Sequence, residues 1–524
     1  MLSALTEWMN GPYAGKTMLI LRMAFFACFV VAACGLAAGS KRPAAGRGRA
    51  GFPLLALLTL AAWCGILAAQ FNWQILGARN IAFMRFMRIH NARPASLVRR
   101  GALLDRHGTV LAVDDPQPGA PWLRRYPLGE AAAHAVGYFD VRYGMTGMER
   151  AGDDVLSGIG GTAREELARL GRNLLAANQA EGGDLRLTLD ARLQRKAHAL
   201  LQARRGAVIV MRADGEVLAL VSMPAFDPHA PGDFQDDRES APLLNRALQG
   251  LYPPGSTFKV VMAALAGEER LSPRFDCPAG GFRAAADARP IRDSEYYIRQ
   301  REGRVWNGFG RIGLRDGFVH SSNVYFAQLG LACSAGAFNS LVGRLGLNDG
   351  VVLFESATGR VAAGQGMVPR VAPADRRMRS QLAIGQGKMV VTPMHVALWT
   401  AAVAGGGILP SPRLVAAAPP PPAERVFSRA IASNVQALMR EAVQHGTGRA
   451  VDLPGLAVCG KTGTAQAPGG DDHAWFTCFA SGAEPRLIVT VLVERGGYGS
   501  RAALPIARAL LEEARRLAVI RPAS

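Results

Sequence analysis

Tyr252-Pro253-Pro254-Gly255-Ser256-Thr257-Phe258-Lys259, followed at once by Val260-Val261-Met262-Ala263-Ala264-Leu265, decides the reading of this chain. A Pro-Pro-Gly turn runs into an unbroken apolar stretch, the pattern of a turn feeding a buried helix. On that helix Ser256 and Lys259 lie one turn apart on the same face. A serine at a helix start is usually a cap, and Ser-x-x-Lys is common by chance, so this stretch needs company. It has two companions downstream, Ser321-Ser322-Asn323 and Lys461-Thr462-Gly463-Thr464. The second stands between short apolar stretches, Leu456-Ala457-Val458 and Ala474-Trp475-Phe476, with a Gly-rich turn between them. That is a β-hairpin pattern and puts Lys461 on a strand.

Together the three motifs describe one acyl-transfer site. A serine hydroxyl is a poor nucleophile near neutral pH and needs a base beside it. Lys259 fits that role when its amine is neutral, a state favoured by burial and by a second cation nearby. Lys461 is that cation. Ser321 would bridge the lysines and relay a proton to a leaving amine, and Asn323 would hold Lys259 and a substrate amide. The backbone N–H groups of Ser256, at a helix start, and of Thr464, on a strand edge, would form an oxyanion hole. The hydroxyls of Thr462 and Thr464, beside Gly463 and Lys461, suit a carboxylate. The implied substrate is a peptide with a free C-terminal carboxyl group. The sequence carries no His/Cys cluster with ligand spacing, so neither a metal nor an organic cofactor is expected.

The trio is the one shared by serine β-lactamases and penicillin-binding proteins. The chain from about Arg99 onward resembles the class B penicillin-binding proteins, the monofunctional peptidoglycan D,D-transpeptidases. Arg100-Gly101-Ala102-Leu103-Leu104-Asp105-Arg106-His107-Gly108-Thr109-Val110-Leu111-Ala112 is similar to the opening of that family's pedestal domain, with His107 where Asn is more usual. Arg125-Tyr126-Pro127, Ala133-His134-Ala135-Val136-Gly137-Tyr138 and Gly144-Met145-Thr146-Gly147-Met148-Glu149 resemble its later part. Leu187-Thr188-Leu189-Asp190 with Leu193-Gln194 resembles the entry to the transpeptidase domain. Gly385-Gln386-Gly387, Thr392-Pro393 and Gly446-Thr447-Gly448 also fit the family. The resemblance implies that Ser256 attacks the penultimate D-Ala of a stem pentapeptide and that an amine from a neighbouring stem resolves the acyl-enzyme. It also implies that β-lactams acylate the same serine, and that a polytopic SEDS-type glycosyltransferase is a partner.

Rival functions share parts of this pattern. A β-lactamase would use the same trio, but no deacylating carboxylate is identifiable and a pedestal would be superfluous. A β-lactam receptor would need a cytoplasmic effector, and no H-E-x-x-H motif is present. A scaffold that activates a glycosyltransferase would have no need of an intact trio.

Two apolar stretches, 18–39 and 51–72, are each long enough to cross a bilayer as a helix, at about 20 residues. The loop between them, 40–50, carries Lys41, Arg42, Arg47 and Arg49, which assigns it to the cytoplasm. Residues 1–17 and everything after the second span are then expected on the outer face of the bacterial inner membrane. Val31-Ala32-Ala33-Cys34 has the look of a lipoprotein cleavage site, but a lipidated Cys34 would strand the catalytic half in the cytoplasm if the second stretch spans. Lys+Arg of 60 against Asp+Glu of 41 gives a net charge of +19. The excess is scattered Arg with no basic stripe and interleaved aromatics, so anionic lipids and cell-wall polymers are expected in place of nucleic acid. Of seven cysteines, Cys459 and Cys478 stand almost symmetrically on the two arms of the hairpin that carries Lys461, which leaves a cross-strand disulfide open.

The fold class expected is α+β. A penicillin-binding transpeptidase domain over 186–524, an antiparallel sheet sandwiched by helices, stands on an α+β pedestal over 73–185 with N-terminal transmembrane helices. The hairpin 207–221 around Asp214-Gly215 and the run 487–493 give sheet strands near both ends of the catalytic half. Helical patterns dominate between Ser256 and Val415, and a closing helix starts near Ala502. Too little chain precedes Leu187 for a separate glycosyltransferase domain, so one activity is expected.

Overall fold

The computed structural model describes residues 63, 65, 98–117, 120–140, 142–158, 180–416, 423–467 and 470–522. The chain divides into two compact units, Met1–Asn80 and Ile81–Ser524, and every element below belongs to the second. Apart from Trp63 and Gly65, the expected spans 18–39 and 51–72 lie outside the described residues, as do the basic loop and residues 164–177, whose sequence pattern reads as a helix of the pedestal. Among the described residues no helix is long and apolar enough to cross a membrane.

The pedestal is built on a four-stranded sheet of β1 (Leu103–Leu104), β2 (Val110–Gln117), β3 (Ala120–Arg125) and β4 (Leu185–Arg186), in the order β3-β2-β1-β4. Its first and last motifs meet in one buried ion network. Arg100 Nε donates to Glu149 Oε2 at 2.7 Å and its Nη1 to Asp153 Oδ1 at 2.5 Å. Arg124 Nε donates to Glu149 Oε1 at 2.7 Å and its Nη1 to Asp114 Oδ1 at 3.1 Å. Two motifs 49 residues apart are thereby locked together. Asp105 ties the pedestal to the next domain, because its carboxylate accepts from the N–H groups of His107 and Thr109 and, at 3.1 Å, from that of Ala191. His107 is a turn residue of that junction, with Nε2 3.2 Å from Asp190 Oδ2.

Asp190 caps α1 (Ala191–Leu201), accepting from Arg192 N–H. The catalytic half then forms a five-stranded antiparallel sheet from β5 (Gly206–Arg212), β6 (Val217–Met223), β7 (Val458–Ala465), β8 (His473–Ala480) and β9 (Leu487–Val493). The spatial order is β6-β5-β9-β8-β7, so the Lys461 strand is an edge. The strands read as continuous apolar runs because both faces are covered. On β5, Ala207, Ile209 and Met211 enter one core cluster and Val208 and Val210 the other. Helix α2 (Lys259–Glu268) and α4 (Pro393–Ala404) fill the first face. The other is covered by α1 and the closing helix α6 (Leu504–Arg516). Helices α3 (Asn323–Ala332) and α5 (Arg429–Gln444) also pack into the first cluster.

Two details depart from the sequence reading. The first turn after Gly255 is a 3-10 turn, Gly255–Phe258, and the α-helix starts only at Lys259. Positions three apart are eclipsed in a 3-10 turn, so Ser256 and Lys259 still share a face. The helical region 256–415 is interrupted by two antiparallel strand pairs, Phe275–Pro278 with Gly308–Ile312 and Val351–Glu355 with Arg360–Ala363.

Candidate active site

The turn that carries Ser256 is clamped between α2 and the edge strand β7. Gly255 has φ +54°, and a Cβ there would lie 2.6 Å from Thr464 O. A Cβ on Gly463 would lie 2.8 Å from Trp475 Cβ and 2.9 Å from Thr257 Cγ2. Only glycines let strand and turn approach this closely. Hydrogen bonds fix the turn itself, with Gly255 N–H donating to Gly385 O at 2.9 Å, Trp475 Nε1 of β8 to Pro253 O at 3.0 Å and Thr257 Oγ1 to Pro254 O at 2.8 Å. Ser256 is not a helix cap, since no side-chain capping bond is made in its turn.

Ser321 sits at φ +57°. A left-handed conformation is costly for a residue with a Cβ, about 1 kcal/mol or more, and here it turns the Ser321 carbonyl back toward α2. Lys259 Nζ donates to Ser321 O at 2.7 Å and to Asn323 Oδ1 at 2.7 Å, and stands 3.4 Å from Ser321 Oγ. The turn is anchored from behind by Asp293. Its Oδ1 accepts from Ser322 Oγ at 2.9 Å and from Val324 N–H at 3.1 Å, while Ser322 Oγ also caps α3 through Tyr325 N–H. The Asn323 amide is engaged at both ends, its Nδ2 donating to Arg292 O at 3.0 Å. One of its N–H groups therefore remains for any substrate amide.

Lys461 Nζ reaches the same serine from the strand, donating to Ser321 Oγ at 2.7 Å and to Thr462 O at 3.2 Å. Both lysines are buried. Burial first, and then the charge of Lys461, hold the Lys259 amine well below the usual lysine range, with Asp293 opposing. Burial alone brings Lys461 down to about 7. Burial and the neighbouring charge both favour the neutral form of the Lys259 amine. A neutral amine has two N–H donors, matching Ser321 O and Asn323 Oδ1, and keeps its lone pair free. Burial also raises the Asp293 carboxyl, against the hydrogen bonds from Val324 N–H and Ser322 Oγ.

Matching this geometry, residues 206–512 fit the penicillin binding protein transpeptidase domain, more than half of the chain, and residues 100–185 fit the penicillin binding protein A dimerisation domain. This chain belongs to the class B penicillin-binding proteins. Among other members of that class, it is 30% identical over 443 residues to peptidoglycan D,D-transpeptidase PbpA of Mycobacterium tuberculosis, covering 75% of this chain and 84% of the relative. It is 27% identical over 424 residues to peptidoglycan D,D-transpeptidase FtsI of Escherichia coli, covering 76% and 68%. The imipenem acyl-enzyme structure of penicillin-binding protein A from M. tuberculosis superposes with a TM-score of 0.70 at 27% identity, covering 80% of this chain and 99% of that one.

In this class B chain all eight residues singled out from the sequence lie around the Ser256 turn, the Ser321 turn or β7. Two more side chains belong with them and were not singled out. Asp293 stands 29 residues before Ser322 in an irregular segment, where no local pattern marks it. Thr447 was noticed only within Gly446-Thr447-Gly448, and its hydroxyl lies 2.6 Å from Thr462 Oγ1. The open question of a Cys459–Cys478 disulfide is answered by register. Cys459 pairs with Phe479 and Cys478 with Gly460, a one-residue offset that points the two thiols to opposite faces. Both are free and buried.

Proposed function

We propose that this penicillin-binding protein is a peptidoglycan D,D-transpeptidase working through a Ser256 acyl-enzyme. The observation that carries this is Ser321 held between two buried lysines, one 2.7 Å from its carbonyl oxygen and the other 2.7 Å from its hydroxyl. Neutral Lys259 takes the Ser256 proton as Oγ attacks the carbonyl carbon of the penultimate D-Ala in a stem pentapeptide. The backbone N–H groups of Ser256 and Thr464 meet the oxyanion. The proton passes through Ser321 Oγ to the nitrogen of the terminal D-Ala, the C–N bond breaks, and D-Ala leaves. Thr462, Thr464 and charged Lys461 hold its carboxylate, with Gly463 keeping the strand close, and Asn323 steadies the acyl chain. An amine of a neighbouring stem then attacks the ester, gives up its proton and returns Ser256 Oγ–H. β-Lactams, with a carboxylate and a strained amide in the same relation, acylate Ser256 in place of the donor stem.

The two apolar N-terminal stretches support a membrane-anchored enzyme with its catalytic half on the periplasmic face, working beside a SEDS-type glycosyltransferase and without nucleic acid. The test is labelling with a fluorescent penicillin. A stable adduct that vanishes in Ser256→Ala is the expected result. Rapid release of the label would point to a β-lactamase, and absence of labelling with intact growth support by Ser256→Ala would point to a scaffold.

A further inference from the structure

Thr462 and Thr447 share one hydrogen bond of 2.6 Å between hydroxyl oxygens. A hydroxyl has one proton and two lone pairs, so the direction of this bond decides what Thr462 can offer a ligand. If Thr462 donates to Thr447, it shows a carboxylate only lone pairs. If Thr447 donates, the Thr462 proton is free to point at the ligand.

The Thr447 turn is built to stay in place. Ala442 O accepts from the N–H groups of both Gly446, at 3.2 Å, and Gly448, at 3.1 Å. Gly446 is wedged under the chain that leads to Ser321, where a Cβ would lie 2.3 Å from Val319 O. The turn therefore touches two of the three motifs, the approach to Ser321 and the Lys461 strand. Thr462 is 7% exposed, and Thr447 is its hydroxyl's partner among the described residues. Thr447 itself is exposed and can take water on its second lone pair. With Lys461 Nζ 3.2 Å from Thr462 O, a charged lysine draws a carboxylate to the side of Thr462, and the carboxylate's own charge favours an O–H aimed at it.

We infer that Thr447 is a specificity-determining positioning residue, whose hydroxyl donates to Thr462 and so aims the Thr462 proton at the terminal carboxylate of the substrate. This rests on the assignment of Thr462 to that carboxylate. Thr447 touches no reacting atom. It sets preference for a free carboxylate over a neutral end.

The test uses the full-length chain and two substrates, a D-alanyl thioglycolate thioester with a free carboxylate and its methyl ester. In Thr447→Val the carboxylate-to-ester ratio of kcat/KM falls about tenfold, the scale of one hydrogen bond to a charged group. Thr447→Ser restores the ratio. Equal loss on both substrates with no rescue by Ser would make Thr447 merely structural and overturn the inference, as would an unchanged ratio. Thr462→Val separates the two ideas. If it lowers the ratio while Thr447→Val does not, the inference fails and the carboxylate assignment survives; if it leaves the ratio unchanged, the assignment itself fails.

Discussion

Lys461 Nζ donates a 2.7 Å hydrogen bond to Ser321 Oγ, so the strand lysine and the helix lysine act on one hydroxyl. Their protonation states are tied. Acylation needs Lys259 neutral and Lys461 charged. The rate should rise with pH through the depressed pKa of Lys259 and fall as Lys461 loses its proton near its value of about 7. In Lys461→Gln one cause that lowers Lys259 is gone while burial remains. The acid limb moves to higher pH, the basic limb disappears and the rate drops, as read from the second-order acylation constant of a penicillin across pH.

Asp293 supports the Ser321 turn through Ser322 Oγ and Val324 N–H. Asp293→Ala leaves both donors buried without their acceptor, which costs about 1–3 kcal/mol and should slow acylation by loosening the turn. Asp293→Asn keeps an acceptor oxygen in place and recovers much of the stability. It also removes a charge that raises the Lys259 amine, so the acid limb of the pH profile shifts to lower pH. Urea unfolding and the same pH series distinguish the two substitutions.

The pedestal network makes a different forecast. Glu149 accepts from Arg100 and Arg124, and all three are buried. Glu149→Ala takes one carboxylate from each of two buried guanidinium groups, leaving Arg100 with Asp153 and Arg124 with Asp114, and should lower stability by about 1–3 kcal/mol. The fraction that remains folded should still be acylated at the parent rate, because no residue of the network reaches the Ser321 turn. Denaturant unfolding checks the first statement and burst labelling of the folded fraction the second.

The strands were the most legible part of this chain. Ala207–Val221 and Leu487–Val493 are apolar runs bounded by turn residues, and such runs need nothing from elsewhere to declare themselves. The Ser256, Ser321 and Lys461 motifs were legible as a set because each carries its own local context. Asp293 and Thr447 were not, since their roles exist only after distant segments pack against Ser322 and Thr462. The Cys459–Cys478 question failed on register, for symmetric spacing about a turn says nothing of a one-residue offset. Both thiols should therefore react with iodoacetamide in denatured, unreduced protein, and a crosslinked peptide in a non-reducing digest would contradict the register.

Gly463 offers the sharpest test of how the site is positioned. A methyl group there would meet Trp475 Cβ at 2.8 Å, Thr257 Cγ2 at 2.9 Å and Pro254 O at 3.3 Å, all atoms held close to the backbone. Gly463→Ala must push β7 away from the turn that bears Ser256, and misplacement of reacting groups by about 1 Å can cost about a hundredfold in rate. Gly460 lies on the same strand, but its added methyl would meet Phe476 Cζ at 2.8 Å and Cys478 Cβ at 3.0 Å, away from the nucleophile. Both substitutions overpack a buried strand, and each should cost about 1–3 kcal/mol. Only Gly463→Ala should also lower the acylation constant, by about ten- to a hundredfold. Equal acylation by the two variants would mean that closeness of strand and turn does not position Ser256.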